Sequence, residues 1–140
     1  MRRILVIAAL SAVAVASAAS AETWKSYSAV SDKSLQWSYD TDYSYRDAAS
    51  GMVVVQQAIG KVGASPRMGP SAPGAADGVG SVVAIDCKAK TLMIIGSYSP
   101  SKPLAIADTW RTAKAAKANT ADDKALVAAA CDVADKLPSK

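Results

Sequence analysis

Two cysteines constrain this 140-residue chain more than any other feature, because they allow one disulfide and leave no third thiol. A bond between Cys87 and Cys131 closes a loop of about 45 residues. In an oxidising compartment, such a pair is typical of a structural crosslink. Redox pairs usually lie close together, as in C-x-x-C, and two thiolates alone are a poor set of metal ligands. We therefore predict a structural disulfide, and neither a redox nor a metal site.

The N-terminus has the pattern of an export signal. Arg2 and Arg3 precede an uncharged apolar run over residues 4–15, and Ala19-Ser20-Ala21 fits the small-x-small rule of signal peptidase. We predict a cleaved signal peptide over residues 1–21. The apolar run is shorter than the roughly 20 residues of a membrane-spanning helix. The expectation is a periplasmic or secreted protein with no membrane span after cleavage.

Composition bounds the function of the remaining residues 22–140, which are the size of one domain. Cleavage removes two of 16 basic residues and leaves the 12 acidic ones, so the net charge falls from +4 to +2. This charge is too small to indicate nucleic acid as a partner. The chain has no histidine, which excludes His-based general acid–base catalysis, Ser-His-Asp triads and His-liganded zinc. We predict no catalytic residue and no cofactor.

Patterns rich in strand-forming residues dominate the chain as far as residue 98. They cover residues 23–30, 35–39, 52–59, 81–87 and 91–98. The last two segments are separated by a short polar turn, which predicts an antiparallel hairpin. Residues 60–80 hold six of the eight glycines and three of the six prolines, so we predict a long Gly/Pro-rich loop there.

After Trp110 the apolar period lengthens to that of a helix. Thr120 is a predicted N-cap, followed by acidic residues in the first turn. One apolar stripe then recurs at helical spacing: Leu126, Ala130, Val133 and Leu137. Pro138 should end the helix. Strands first and a helix last predict an α+β fold, an antiparallel β-sheet with a C-terminal α-helix tethered to it by one disulfide.

An acidic segment, residues 40–47, allows three interpretations. Its D-x-D-x-S opening resembles a calcium loop, but Tyr45 and Gly51 stand where Gly and Glu are needed. Paired carboxylates could also serve a glycosidase, although no cleft is evident. We favour a solvated turn in which Asp side chains accept backbone N–H groups and Arg46 supplies a counter-charge.

Aromatic residues supply the candidate contact surface. Tyr39, Tyr43 and Tyr45 cluster with Arg46 in a polar segment, which suits an exposed surface that binds through ring and hydroxyl. The three tryptophans could form a platform for sugar or peptide, but widely spaced tryptophans in a small domain are more often core.

The order of landmarks along the chain resembles that of the surface-adhesin E domain family of Gram-negative bacteria. The landmarks are Trp24, Tyr39-Asp40, Arg46-Asp47, a Val-rich strand at 52–55, Ser81 to Asp86-Cys87, a paired strand ending near Tyr98, Trp110 and Cys131. The resemblance spans nearly all of residues 22–140. It implies an antiparallel sheet with a helix tethered by the Cys87–Cys131 bond, adhesion to host matrix proteins, and a homodimer.

These observations predict a non-enzymatic extracytoplasmic binding module that contacts a protein or peptide, such as a host matrix or envelope protein. The alternative is a small periplasmic protein that binds a ligand or envelope component in a pocket between the sheet and the terminal helix.

Overall fold

The computed structural model describes residues 23–63, 80–99 and 102–140, so the predicted signal peptide lies outside the described residues. Within these ranges the protein forms one antiparallel sheet and one α-helix, α1 (Ala121–Asp132). The strands are β1 (Trp24–Ser26), β2 (Leu35–Arg46), β3 (Val53–Lys61), β4 (Gly80–Asp86), β5 (Thr91–Ser99), β6 (Lys102–Ile106) and β7 (Ala116–Lys117). No helix in the described part of the sequence is long and apolar enough to cross a membrane.

Strands β1 to β6 lie side by side in sequence order, and β7 pairs with β5 beyond the end of β6. The central strands β3 and β4 are buried on both faces, as their continuous apolar runs Val53–Val55 and Val82–Ile85 require. Successive side chains in a strand point to opposite faces, so each run contributes to two separate cores.

One core lies between the sheet and α1, on what we call the helix side. It contains Tyr39, Val53, Val55, Val83, Ile85, Leu126, Val127 and Ala130. The core of the opposite side contains Val54, Val82, Ala84, Met93, Ile95 and Trp110. Of the three tryptophans predicted to be core residues, Trp110 is buried, whereas Trp24 and Trp37 are half-buried.

Helix α1 begins where the sequence predicts, with Thr120 as its N-cap. The Thr120 hydroxyl accepts a hydrogen bond from the Asp123 N–H at 3.0 Å, and the Asp123 carboxylate accepts one from the Thr120 N–H at 3.2 Å. This capping box satisfies two otherwise unpaired backbone donors.

The end of α1 differs from the prediction that the helix continues to Pro138. The α-helix stops at Asp132, and a tighter 3-10 turn follows at Ala134–Lys136. The residue before Pro138 must leave the helical region for steric reasons, and Leu137 is accordingly extended. The backbone then runs beside the end of β2, where the Arg46 N–H donates to the Pro138 carbonyl at 2.8 Å.

The disulfide is present and has the predicted partners. Cys87 follows the last residue of β4 and Cys131 lies in the last turn of α1, with their Cα atoms 5.6 Å apart. The bond therefore joins the sheet to the C-terminal helix. This arrangement, together with the antiparallel sheet, confirms the predicted α+β fold class.

Three sequence predictions are corrected by the strand boundaries. The Gly/Pro-rich loop cannot span all of residues 60–80, because β3 extends to Lys61 and β4 begins at Gly80; residues 64–79 lie outside the described residues. A second loop, which the sequence predicts from Ser99 to Pro103, is also shorter, because strand β6 begins at Lys102. The acidic segment is not a solvated turn, since β2 continues through it to Arg46.

Gly96 gives a direct test of the packing between β5 and β6. A Cβ at this position would lie 2.7 Å from the Ala105 carbonyl oxygen, which belongs to backbone and cannot move aside. We expect Gly96→Ala to lower the free energy of unfolding by about 1–3 kcal/mol, measured by urea denaturation. Gly63→Ala is the comparison, because its Cβ would meet open space and only the positive φ would cost about 1 kcal/mol. A loss of stability that is smaller for Gly96→Ala than for Gly63→Ala would contradict the close approach of β5 and β6 at Gly96.

Candidate binding surface

A large bulge in β2 decides where the predicted contact residues lie. Asp40 pairs with Gln56 of β3, but Tyr45 pairs with Val54, so five steps along β2 match two steps along β3. Three extra residues are therefore inserted into β2. Because side chains alternate between faces, an odd insertion exchanges the faces for everything that follows it.

Tyr39 lies before the bulge and belongs to the core on the helix side, where it is 1% exposed. Its inclusion in an exposed contact surface was therefore wrong. Simple alternation would place Tyr39, Tyr43 and Tyr45 on one face, and the bulge breaks that relation. Burial, followed by the charge of Asp132, raises the pKa of the Tyr39 hydroxyl. This hydroxyl has no hydrogen-bond partner among the residues that the structure describes.

Arg46 is also separated from the tyrosines. It is exposed, and its Nη1 lies 3.9 Å from Oδ1 of Asp135 in the segment that follows α1. Arg46 is paired with Val53 of the helix-side core, so Arg46 lies on the helix side, whereas its neighbour Tyr45 packs against the core of the opposite side. Of the four predicted contact residues, the structure brings only Tyr43 and Tyr45 together.

Tyr43 and Tyr45 form a half-buried aromatic pair on the opposite side of the sheet. Their ring centroids are 6.1 Å apart and the rings are inclined at 58°, an arrangement favourable for two aromatic rings. Burial is the largest cause that raises the pKa of both hydroxyls, so both tyrosines remain neutral donors at physiological pH.

Beside this pair lies an ion pair that sequence reasoning missed. The Asp47 side chain is 2% exposed and accepts hydrogen bonds from Nε of Arg111 at 2.9 and 3.2 Å, while Nη2 also donates to it. Ser50 donates its N–H at 2.8 Å and its hydroxyl at 2.6 Å to the same carboxylate. The hydrogen bonds from Arg111 are the main reason that the pKa of Asp47 is held well below its usual range.

No local signal identifies Arg111 as the partner of Asp47, since the two residues are 64 positions apart. The predicted counter-charge was the adjacent Arg46, which points to the other face.

Two cations complete the surface. The Arg111 guanidinium carbon lies 4.7 Å from the centre of the Trp110 ring, and the side chain is 46% exposed. Lys140 Nζ lies 4.9 Å from the centre of the Tyr45 ring. Both distances fit cation–π contacts. We call Tyr43, Tyr45, Arg111 and Lys140 the aromatic–arginine patch.

The remaining acidic residues have structural roles. Asp40 is buried, and its Oδ1 accepts the N–H group of Asp42 in the bulge at 2.9 Å and that of Thr23, just before β1, at 3.2 Å. The predicted capping of backbone N–H groups by Asp is thus confirmed, although in a strand rather than a turn. Among the described residues, no group of three or more acidic or cysteine side chains is placed to hold a metal ion.

A cleft of about 370 Å³ lies beside Arg46, on the helix side. The Cys87–Cys131 bond forms part of its wall, and Met52, Arg46 and Asp135 also line it. Its lining combines side chains of both charges with apolar ones. The cleft lies at the end of the interface between the sheet and α1, while Leu126, Val127 and Ala130 fill the rest of that interface.

We take the aromatic–arginine patch and the cleft as candidate binding surfaces. Comparison of the sequence with protein-family models, curated proteins and solved structures finds no match in any of the three. The function must therefore be argued from these surfaces.

Proposed function

We propose that this protein is a non-enzymatic extracytoplasmic binding module that contacts a protein or peptide through the aromatic–arginine patch. The single observation that carries the proposal is the half-exposed set of Tyr43, Tyr45 and Arg111, in which the buried Asp47 carboxylate holds Arg111 in place. Tyrosine and arginine are the residue types most enriched in the energetic centres of protein interfaces.

Rigidity strengthens the case. The Asp47 carboxylate binds Arg111 and Ser50 together, and the Trp110 ring supports the guanidinium. A surface that is ordered before binding loses less conformational entropy when a partner arrives. Loosely held surface side chains would not give this advantage.

The sequence and the disulfide support a location and a class of partner. The predicted signal peptide, together with a disulfide of the kind that persists in oxidising compartments, supports a periplasmic or secreted protein. The resemblance to the surface-adhesin E domains supports a host matrix or envelope protein as the partner. Membership of that family and a homodimeric state are parts of this proposal.

Binding of purified matrix proteins to the immobilised, oxidised protein tests the proposal. Replacing Tyr43 and Tyr45 together with alanine should weaken binding at least about tenfold, because these rings provide the apolar contact area. Ile94→Ala is the matched control, since Ile94 is 64% exposed but lies on the helix side.

Equal losses of binding affinity in the Tyr43/Tyr45 double alanine variant and in Ile94→Ala would argue against the patch as the binding surface. The adhesin form of the proposal fails if the protein binds no matrix protein and cell fractionation finds it solely inside the periplasm. An envelope protein would then be the partner class to test.

The cleft beside the disulfide favours a second candidate function, the binding of a small periplasmic ligand or envelope component. Its wall is fixed by a covalent bond, and Arg46 and Asp135 offer both charges in its lining. Filling the cleft with Ala134→Trp should abolish thermal stabilisation by any such ligand in a screen of amino acids, short peptides and sugars. Stabilisation that survives Ala134→Trp would place the ligand elsewhere.

A further inference from the structure

The guanidinium of Arg111 is held in a fixed plane by contacts that use one of its edges. Nε and Nη2 donate to the Asp47 carboxylate, and the guanidinium carbon lies 4.7 Å from the centre of the Trp110 ring. A planar group that is bound bidentately and also stacked on an aromatic ring cannot turn without breaking both contacts. Its orientation is therefore set before any partner binds.

The outer edge of the same group still has hydrogen-bonding capacity. A guanidinium carries five N–H donors, and Asp47 takes one from Nε and one from Nη2. Nη1 donates to no acceptor within residues 23–63, 80–99 and 102–140. Since the side chain is 46% exposed, the parallel N–H groups of Nη1 and Nη2 form a fork that can face solvent.

Tyr45 packs against the same core as Trp110, whose ring supports the Arg111 guanidinium. Burial raises the pKa of the Tyr45 hydroxyl, the charge of Asp47 raises it further, and the charge of Arg111 lowers it. The Lys140 ammonium lies over the ring of the same tyrosine, at 4.9 Å from its centre. A donor fork, a neutral phenol and a second cation thus lie on the same side of the sheet.

We propose that the outer edge of Arg111 and the Tyr45 hydroxyl form a carboxylate-binding subsite within the patch. A carboxylate is planar and matches two parallel N–H donors, which is the geometry that Arg favours over Lys. Because buried Asp47 offsets the charge of Arg111, this subsite recognises its ligand by the geometry of the hydrogen bonds rather than by long-range electrostatic attraction.

The biological role of the subsite rests on the proposed function, since the carboxylate would come from the partner. It is the carboxylate of an Asp or Glu residue or of a polypeptide C-terminus. The subsite itself can be measured without any partner, so the two ideas fail separately. Loss of carboxylate binding with partner binding intact would overturn the subsite alone.

The experiment is an NMR titration of the intact, disulfide-bonded protein that follows the Arg111 Nε–H and Trp110 indole signals. N-acetylglutamate α-amide probes the carboxylate of a side chain, and N-acetylglycine probes a C-terminal one. Either should give saturable shifts with a dissociation constant of roughly millimolar size, as expected for a few charge-assisted hydrogen bonds. The neutral N-acetylglutamine α-amide should give none. Absence of saturation with both carboxylates, or tighter binding of inorganic phosphate, overturns the proposal.

Two variants distinguish a loss of carboxylate binding from a loss of folding stability. Arg111→Lys keeps the charge but loses the fork, and should weaken binding by about tenfold. Tyr45→Phe keeps the ring and removes the hydroxyl, and should weaken it by about threefold without disturbing the fold. Lys33→Gln, at an exposed lysine in the turn before β2, should leave the affinity unchanged. An equal effect of Lys33→Gln, or no effect of Tyr45→Phe, would contradict the assignment.

Discussion

Replacing Asp47 with alanine should lower the free energy of unfolding by about 2–4 kcal/mol. The carboxylate is almost fully buried and accepts hydrogen bonds from Arg111 and from both the N–H and the hydroxyl of Ser50. Hydrogen bonds to a buried charged group are among the strongest single contributions to stability. Chemical denaturation of the oxidised protein measures the change.

The protein offers a matched control in a second Arg–Asp contact. Asp135 is fully exposed and lies 3.9 Å from Arg46, so Asp135→Ala should leave the stability unchanged within error. Equal losses in the two variants would show that burial does not distinguish the pairs, which would contradict our account of Asp47.

The same carboxylate predicts a pH dependence. Its folded pKa lies well below the usual value of about 4, so its contribution is fully present above that value and is lost as the pH falls towards the folded pKa. Asp47→Asn removes the titrating group. We expect the stability difference between wild type and Asp47→Asn to shrink steadily as the pH falls from about 5 to about 3, as measured by urea denaturation at each pH. A stability difference that stays constant over this pH range would contradict the Asp47–Arg111 ion pair.

Removing the disulfide with Cys87→Ala and Cys131→Ala should lower the free energy of unfolding by about 4 kcal/mol, because the unfolded polypeptide regains the freedom of a loop of about 45 residues. For a small domain this is a large part of the total stability. Calorimetry and denaturation of the oxidised protein and of the double variant measure it.

Hydrogen exchange adds a local measurement. The bond anchors the last turn of α1, so in the double variant the amides of Leu126 to Ala130 should lose protection before those of β3 and β4. Wild type reduced by a thiol is the control and should behave like the double variant. Unchanged stability, or mass spectrometry showing free thiols in the exported protein, would contradict a structural bond.

Most of the fold was predictable from the sequence because its signals are local. The apolar runs of β3 and β4, the polar turn between β4 and β5, and the Thr120 cap each depend on a few neighbouring residues. The disulfide followed from the absence of any other thiol. By contrast, β6 includes Pro103, a residue that weakens any strand pattern and is tolerated at an edge.

The candidate site was predictable only in part. Tyr43 and Tyr45 were identified from their clustering, but Tyr39 was wrongly grouped with them. The strand pattern of residues 35–46 carries no mark of where three residues will be inserted against β3. Arg111 was missed because its relation to Asp47 exists only after the sheet has formed.

The segment after α1 has a consequence for assembly. One edge of β2 is covered by β1 over residues 38–40, and at Arg46 by residues 138–140, where the Lys140 N–H donates to the Arg46 carbonyl at 3.0 Å. Exposed strand edges are the usual templates for edge-to-edge aggregation, and here both stretches are occupied by the protein's own backbone. A second copy that paired with β2 at Arg46 would first have to displace the C-terminal residues. A homodimer formed without that rearrangement would have to use another surface.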